Sequence, residues 1–177
     1  MKNYVLGLDV STSVVGCAIV DADTDELKGL FYVSLKKEKG LLNKIKVLKG
    51  ELSKYDGMIQ HVAIEEPLVM FKEGFSMAQV LSLLSRFNGM TELLCFLLYN
   101  VDPFMYNVNN IRKVAFPNLK FPKGCKRKEL VREACAELYP DVDWPLKRTG
   151  KFKAECFDLS DAIAVARCHC INLKEKK

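Results

Sequence analysis

The strongest constraint on the fold is a short stretch near the N-terminus, Tyr4 to Asp21, reading Y-V-L-G-L-D-V-S-T-S-V-V-G-C-A-I-V-D. Two runs of Val, Leu and Ile flank a Ser/Thr turn, the composition and punctuation of a β-hairpin. Asp9 sits in the middle of the first run with apolar neighbours on both sides. A carboxylate there is costly to bury unless something pairs with it or coordinates it. On this segment alone two readings stand level: a coordinated or charge-paired Asp9, or a local cap in which Asp9 hydrogen-bonds the turn of Ser11, Thr12 and Ser13. Acidic residues later in the chain tip the balance toward the first.

Further strands are expected over Lys28 to Leu35, Met58 to Glu65 and Asp102 to Val108. Glu38 to Lys54 spaces Leu41, Leu42, Ile45, Leu48 and Leu52 at three- and four-residue intervals, an amphipathic helix with a solvated lysine face. Ser76 to Leu98 reads as a long helix whose apolar residues exceed one stripe, as in a helix buried on two sides or in a subunit contact. Shorter helices are expected over Asn110 to Ala115 and Lys126 to Tyr139, and a last one over Leu159 to Asn172. Three meandering strands followed by alternating helices and strands predict a mixed α/β sheet with helices on its faces. At 177 residues the chain is expected to be one domain, residues 1–177.

The balance of 27 basic and 22 acidic residues, net +5, permits a phosphate-rich partner without demanding one. Seven scattered cysteines contain no C-x-x-C pair, so neither a zinc site nor a disulfide framework is indicated, and a reducing, cytoplasmic setting is expected. Asp9 breaks the first apolar run, and no small-residue cleavage pattern follows it. No run reaches the roughly 18 consecutive apolar residues of a membrane helix, so no membrane partner is expected.

Glu65 ends the V-A-I-E-E-P strand; Asp158 and Asp161 fall in F-D-L-S-D-A-I-A-V-A, on one helical face by their i, i+3 spacing. Each alone has an ordinary explanation: a helix N-cap, a first-turn acid, a strand-end surface residue. With Asp9 they make a set of four carboxylates, hard oxygen donors suited to Mg²⁺ or Mn²⁺. Two such ions about 3.5–4 Å apart can activate water and stabilise the leaving oxygen of a phosphodiester. His61 and His169 lack metal-ligand spacing, and no nucleophile elbow is present.

In these three blocks, G-L-D-V-S-T-S-V-V-G-C-A-I-V-D, V-A-I-E-E-P and F-D-L-S-D-A-I-A-V-A-R-C-H, the chain resembles the RuvC family of Holliday-junction resolvases, within the RNase H-like (retroviral integrase) superfamily. The resemblance implies an RNase H-like fold, a five-stranded mixed sheet flanked by helices on both faces. It implies a metal-dependent endonuclease that resolves four-way or branched DNA junctions by paired hydrolysis, leaving a 5′-phosphate and a 3′-hydroxyl. It carries the metal-binding catalytic role onto Asp9, Glu65, Asp158 and Asp161, with two Mg²⁺ ions for which Mn²⁺ can substitute. Glu66 is the fallback for Glu65, on the opposite face of the strand. In K-R-K-E-L-V-R, Lys128 is the first candidate for the basic residue at the scissile phosphate, and Lys126 the second. Arg112, Lys113, Lys126, Arg127, Lys128 and Phe71 are the implied DNA contacts, and a homodimer joined through the long helix is the implied assembly. Where the family has Asp-Pro-Gly, this chain has Asp9-Val10-Ser11. The family's aromatic wedge falls on Leu68, or on Phe71 or Phe75 if the loop is shifted.

The basic runs Lys120 to Lys128 and Lys147 to Lys153 read as solvated surface by default, though both lead into the carboxylate segments. Two other readings keep the fold: an RNase H-type nuclease on RNA–DNA hybrids, and a junction-binding module without catalysis. A sugar-kinase or chaperone-type ATPase half shares the opening Asp and Ser/Thr turn, but the chain is short for two lobes and has no second glycine-rich phosphate loop.

Overall fold

The protein is described from a computed structural model covering residues 3–67 and 75–175, with the side chains of 75–77 outside the description. The hairpin forms as the sequence dictates: β1 (Tyr4–Val10) pairs antiparallel with β2 (Val14–Asp21), Asp9 lying opposite Gly16. Ser11, rather than Asp9, ties the turn: its Oγ donates to the Val14 carbonyl at 2.7 Å and accepts from the Val14 N–H at 3.0 Å. The local-cap reading of Asp9 is therefore not how this turn is held.

β3 (Leu27–Ser34) continues the meander on the far side of β2. After α1 (Leu41–Leu52) and a 3-10 turn (Ser53–Tyr55), β4 (Ile59–Glu65) lies parallel to β1. The long α2 (Phe75–Tyr99) returns the chain to β5 (Phe104–Tyr106), parallel to β4. The sheet order is β3-β2-β1-β4-β5. Three helices follow: α3 (Val108–Ala115), capped by the Asn107 side chain, α4 (Arg127–Leu138) and α5 (Glu155–Glu175). α5 begins four residues before its expected start, so Asp158 lies within the first turn and is not an N-cap.

Strand pleating divides the core in two. Leu6, Leu8, Cys17 and Ile19 pack with α1 and α2 on one face, whereas Val5, Ala18 and Ala63 pack with α3, α4 and α5 on the other. Asp9 and Glu65 continue the second series, two residues beyond Gly7 and Ala63. α5 is buried almost all round because it lies between the sheet and the helices α3 and α4.

One expectation needs correction. The lysine face of α1 is not uniformly solvated: Lys44 Nζ donates to the Thr12 carbonyl at 2.5 Å and to the Leu35 carbonyl at 3.0 Å, tying the helix to the hairpin turn. No run reaches 18 consecutive apolar residues, though Ala78–Tyr99 is long and apolar enough to cross a membrane by length and composition. Here that helix lays Phe87, Leu94 and Cys95 into the core while Val80, Leu93 and Leu97 stay exposed.

Two glycines permit the tight seat of α5. A Cβ on Gly7 would stand 2.5 Å from both the Ala162 carbonyl oxygen and the Ala166 nitrogen, and one on Gly16 would stand 2.1 Å from the Asp158 carbonyl oxygen. These obstacles are helix backbone and cannot rotate away. Gly16→Ala is therefore expected to destabilise the fold by about 3 kcal/mol or more, as forced overpacking does. A urea midpoint equal to that of the unaltered chain would contradict the contact.

Candidate active site

The C-terminal ends of β1 and β4 and the first turns of α5 meet on one side of the sheet. Asp9 comes from the end of β1, Glu65 from the end of β4, and Asp158 and Asp161 from successive turns of one face of α5. Gly16 allows this meeting, because it lies opposite Asp9 in the hairpin and beneath the Asp158 backbone.

The four acids feel one another. Burial pushes the Asp9 carboxyl well above the usual range, and the charges of Asp161, Glu65 and Asp158 push it further, with Lys128 pulling it back. Glu65 is pushed up to about 7, first by burial and then by Asp161, against the opposing charges of Arg112 and Lys128. Asp158 is raised by burial, with Lys128 opposing and Asp161 and Glu155 adding to the rise. Asp161 is only 5% exposed, a depth at which a carboxylate requires a partner. Its partner is Lys128, whose Nζ lies 2.9 Å from Oδ2. Burial alone would lower the Lys128 ammonium, but Asp161, by charge and hydrogen bond, and then Asp9 and Asp158 leave it raised overall.

Among the described residues, no three His, Cys, Asp or Glu side chains draw together tightly enough to form a ready metal cluster. The carboxylates are coupled through their fields, with the Lys128 ammonium seated against the deepest of them.

The other expected site residues separate clearly. Glu66 is exposed and its N–H donates to the Tyr106 carbonyl at 2.9 Å, so the fallback lies off the acidic face. Arg112, in the last turn of α3, is close enough for its charge to act on Glu65, and its Nε is buried without a hydrogen-bond partner. Lys113 and Arg127 are exposed. Lys126 points to Glu129 at 3.1 Å, so of the two candidate lysines only Lys128 reaches the acids. Leu68 and Phe71 lie outside the described residues, as does the side chain of Phe75.

Three contributors escape sequence reasoning. Asn88 of α2, 2% exposed, donates from Nδ2 to the Glu65 carbonyl at 3.0 Å and so fixes the end of β4. Nothing in its helical context marks it. Lys36 reaches Glu155 at 2.8 Å and ties β3's end to the start of α5. Gly16 was legible in principle, since simple hairpin register sets it opposite Asp9. His169 is buried inside α5, with its Nδ1 2.8 Å from the Tyr106 hydroxyl.

No protein-family model matches the sequence, and no curated protein does. Solved structures do match. RuvC of Thermus thermophilus superposes with a TM-score of 0.67 at 15% identity, over 98% of this chain and 96% of that one. The T. thermophilus RuvC in complex with a Holliday junction substrate gives 0.63 at 14% identity, with the same coverage. The yeast mitochondrial Holliday junction resolvase gives 0.61 at 12% identity, over 96% of this chain and 78% of that one. Across nearly its whole length, therefore, the chain has the mixed α/β, RNase H-like fold of the RuvC-type resolvases.

Proposed function

We propose that this chain is a divalent-metal-dependent endonuclease that resolves four-way or related branched DNA junctions by phosphodiester hydrolysis. The observation carrying the proposal is the convergence of Asp9, Glu65, Asp158 and Asp161, from three sequence-distant segments, on the side of a RuvC-type sheet where Lys128 and Arg112 also point their charge.

The donor set fits Mg²⁺ or Mn²⁺. All four groups are hard oxygen donors, and the raised Asp9, Glu65 and Asp158 are acids that resist ionising together without added positive charge. Asp9, Glu65, Asp158 and Asp161 would hold the metal, which when bound supplies charge to the phosphodiester oxygens and acidifies water. The rest is the work of the chain itself. Lys128, on a half-exposed side chain, can exchange Asp161 for a backbone phosphate. Arg112, Lys113, Lys126 and Arg127 supply further positive charge for the DNA strands. Asn88 keeps Glu65 in register by holding its carbonyl.

Paired cuts need two copies of the site. α2 offers a face for this, with Leu93 57% and Leu97 69% exposed one turn apart. The seven free cysteines support an intracellular, reducing setting at the DNA.

Labelled four-way junctions should be nicked symmetrically with Mg²⁺ and left intact with chelator. Asp9→Asn or Asp161→Asn should lower the rate by on the order of 100-fold or more, the scale for losing one charge-stabilising group. Binding without cutting in any divalent metal would favour a non-catalytic module, and preference for RNA–DNA hybrids an RNase H-type enzyme.

Glu65 generates a stability prediction independent of activity. Between its ordinary 4.5 and about 7 the metal-free folded chain holds a proton that the unfolded chain has released. The folded state binds more protons across that window, so stability falls as pH rises through it. Glu65→Gln should therefore flatten the fall in Tm between about pH 5 and about pH 7.5. At the upper pH, Mg²⁺ should raise the Tm of the unaltered chain more than that of the variant. An identical pH profile for both proteins would refute the assignment.

Replacing both Leu93 and Leu97 with Glu should convert a sedimenting dimer to a monomer with unaltered circular dichroism. A double variant that stays dimeric would place the subunit contact elsewhere.

A further inference from the structure

The segment between α4 and α5 is a small, ordered hairpin, and the proposed catalysis makes no use of it. Leu146 and Phe152 form an antiparallel bridge. The Lys147 N–H donates to the Lys151 carbonyl at 2.7 Å, and the Lys153 N–H to the Pro145 carbonyl at 2.9 Å. Gly150, at φ 75°, closes the turn in a conformation that favours glycine. The base is anchored as well, since Cys156 Sγ donates to the Pro145 carbonyl at 3.2 Å.

Its charge is one-sided. From Pro145 to Lys153 the segment holds Lys147, Arg148, Lys151 and Lys153 and no acidic residue. All four are exposed, and among the described residues none has a salt-bridge partner. Solvated lysines on a helix face are ordinary. Four unpaired cations on a hydrogen-bonded ribbon are different, because the backbone holds them in one arrangement.

The ribbon is also fixed relative to the acidic site. Lys128, Arg132 and Cys135 share one face of α4 at helical spacing. Lys128 reaches Asp161, and Cys135 Sγ donates to the Ser160 carbonyl at 3.5 Å. Between them Arg132, its side chain 12% exposed, lies over the Phe152 ring with its guanidinium carbon 4.0 Å from the ring centroid. One helix face thus binds both the first turns of α5 and the cationic ribbon. The ribbon's last cation, Lys153, is two residues from Glu155 and helps hold that carboxyl below its ordinary range, after Lys36 and the helix backbone.

We propose that the hairpin of residues 145–153 is a phosphate-binding arm, held by the Arg132–Phe152 stack, that grips the nucleic-acid backbone beside the carboxylate site. This rests on the nuclease reading above and deepens it by naming a second contact surface. The chemistry recognised is backbone phosphate rather than base edges. The ribbon's long polar side chains are all Lys or Arg, and it lacks the Asn or Gln that pairs with adenine edges.

The test is binding of a fluorescent four-way DNA junction, in chelator, as a function of salt. Neutralising Lys147, Arg148 and Lys151 together to Ala should lower the slope of log K against log salt by about 2–3, as lost phosphate contacts do. A control that neutralises Lys39, Lys46 and Lys49 to Ala, on and before α1, changes net charge equally and should leave the slope in place. Phe152→Ala keeps every cation but frees the ribbon, and should weaken binding by about two- to five-fold, the range of a surface cation–π contact. Equal slope losses in the arm variant and the control, or no loss in the arm variant, would overturn the arm while leaving the nuclease reading intact. An unaltered chain that binds no junction overturns both.

Discussion

Everything at the candidate site depends on how closely α5 lies against the first hairpin. The contact exists because Gly7 and Gly16 have no side chains where the helix backbone passes. At that separation Asp158 and Asp161 come level with Asp9, and α3 and α4 close over the helix from the other side. The acids therefore face one side of the sheet partly shielded from water, where each charge is felt by the next. The raised Glu65 carboxyl, from a different strand, follows from the same crowding. Backbone proximity comes first here, and the electrostatics follow from it.

Much of this was legible in the sequence, for reasons particular to each element. The hairpin was legible because two continuous apolar runs around a Ser/Thr turn, with one isolated Asp, leave few other options, and the pleat then chose Glu65 over Glu66. The last helix starts earlier than its apolar pattern predicts, because Ala154 to Phe157 carries no clear apolar period while the Cys156 and Phe157 N–H groups donate back to the Lys153 and Ala154 carbonyls and start the turn early. Asn88, Lys36 and Lys44 could not be found by pattern. Each acts on a backbone or side chain from another element, and such pairings appear only once the sheet order is known. α2 was harder still: it carries core and exposed apolar faces at once, so its composition does not separate packing from docking.

α5 carries three ion pairs, and two of them, at Arg167 and Asp161, differ in character in a way that bears on function. Toward its C-terminal half Arg167 pairs with Asp25, with side chains 13% and 34% exposed, and also donates to the Ala115 carbonyl at 3.4 Å. The Tyr139 hydroxyl closes the same corner by donating to the Asp25 carbonyl at 3.1 Å. Breaking such a partly buried pair strands a charge, so this corner is a clamp that joins α5 to α3, α4 and the β2–β3 turn. At the other end Lys128 is 54% exposed while its partner Asp161 is nearly covered. Releasing Lys128 returns an ammonium to water at little cost, but leaves Asp161 in need of another cation. A helix clamped at one end and held at the other by an exchangeable lysine keeps its carboxylates in place while the positive charge around them changes. The nuclease proposed above, which would admit a metal ion and a phosphate by turns, would be served by that combination, which a rigid buried pair at Asp161 would not supply.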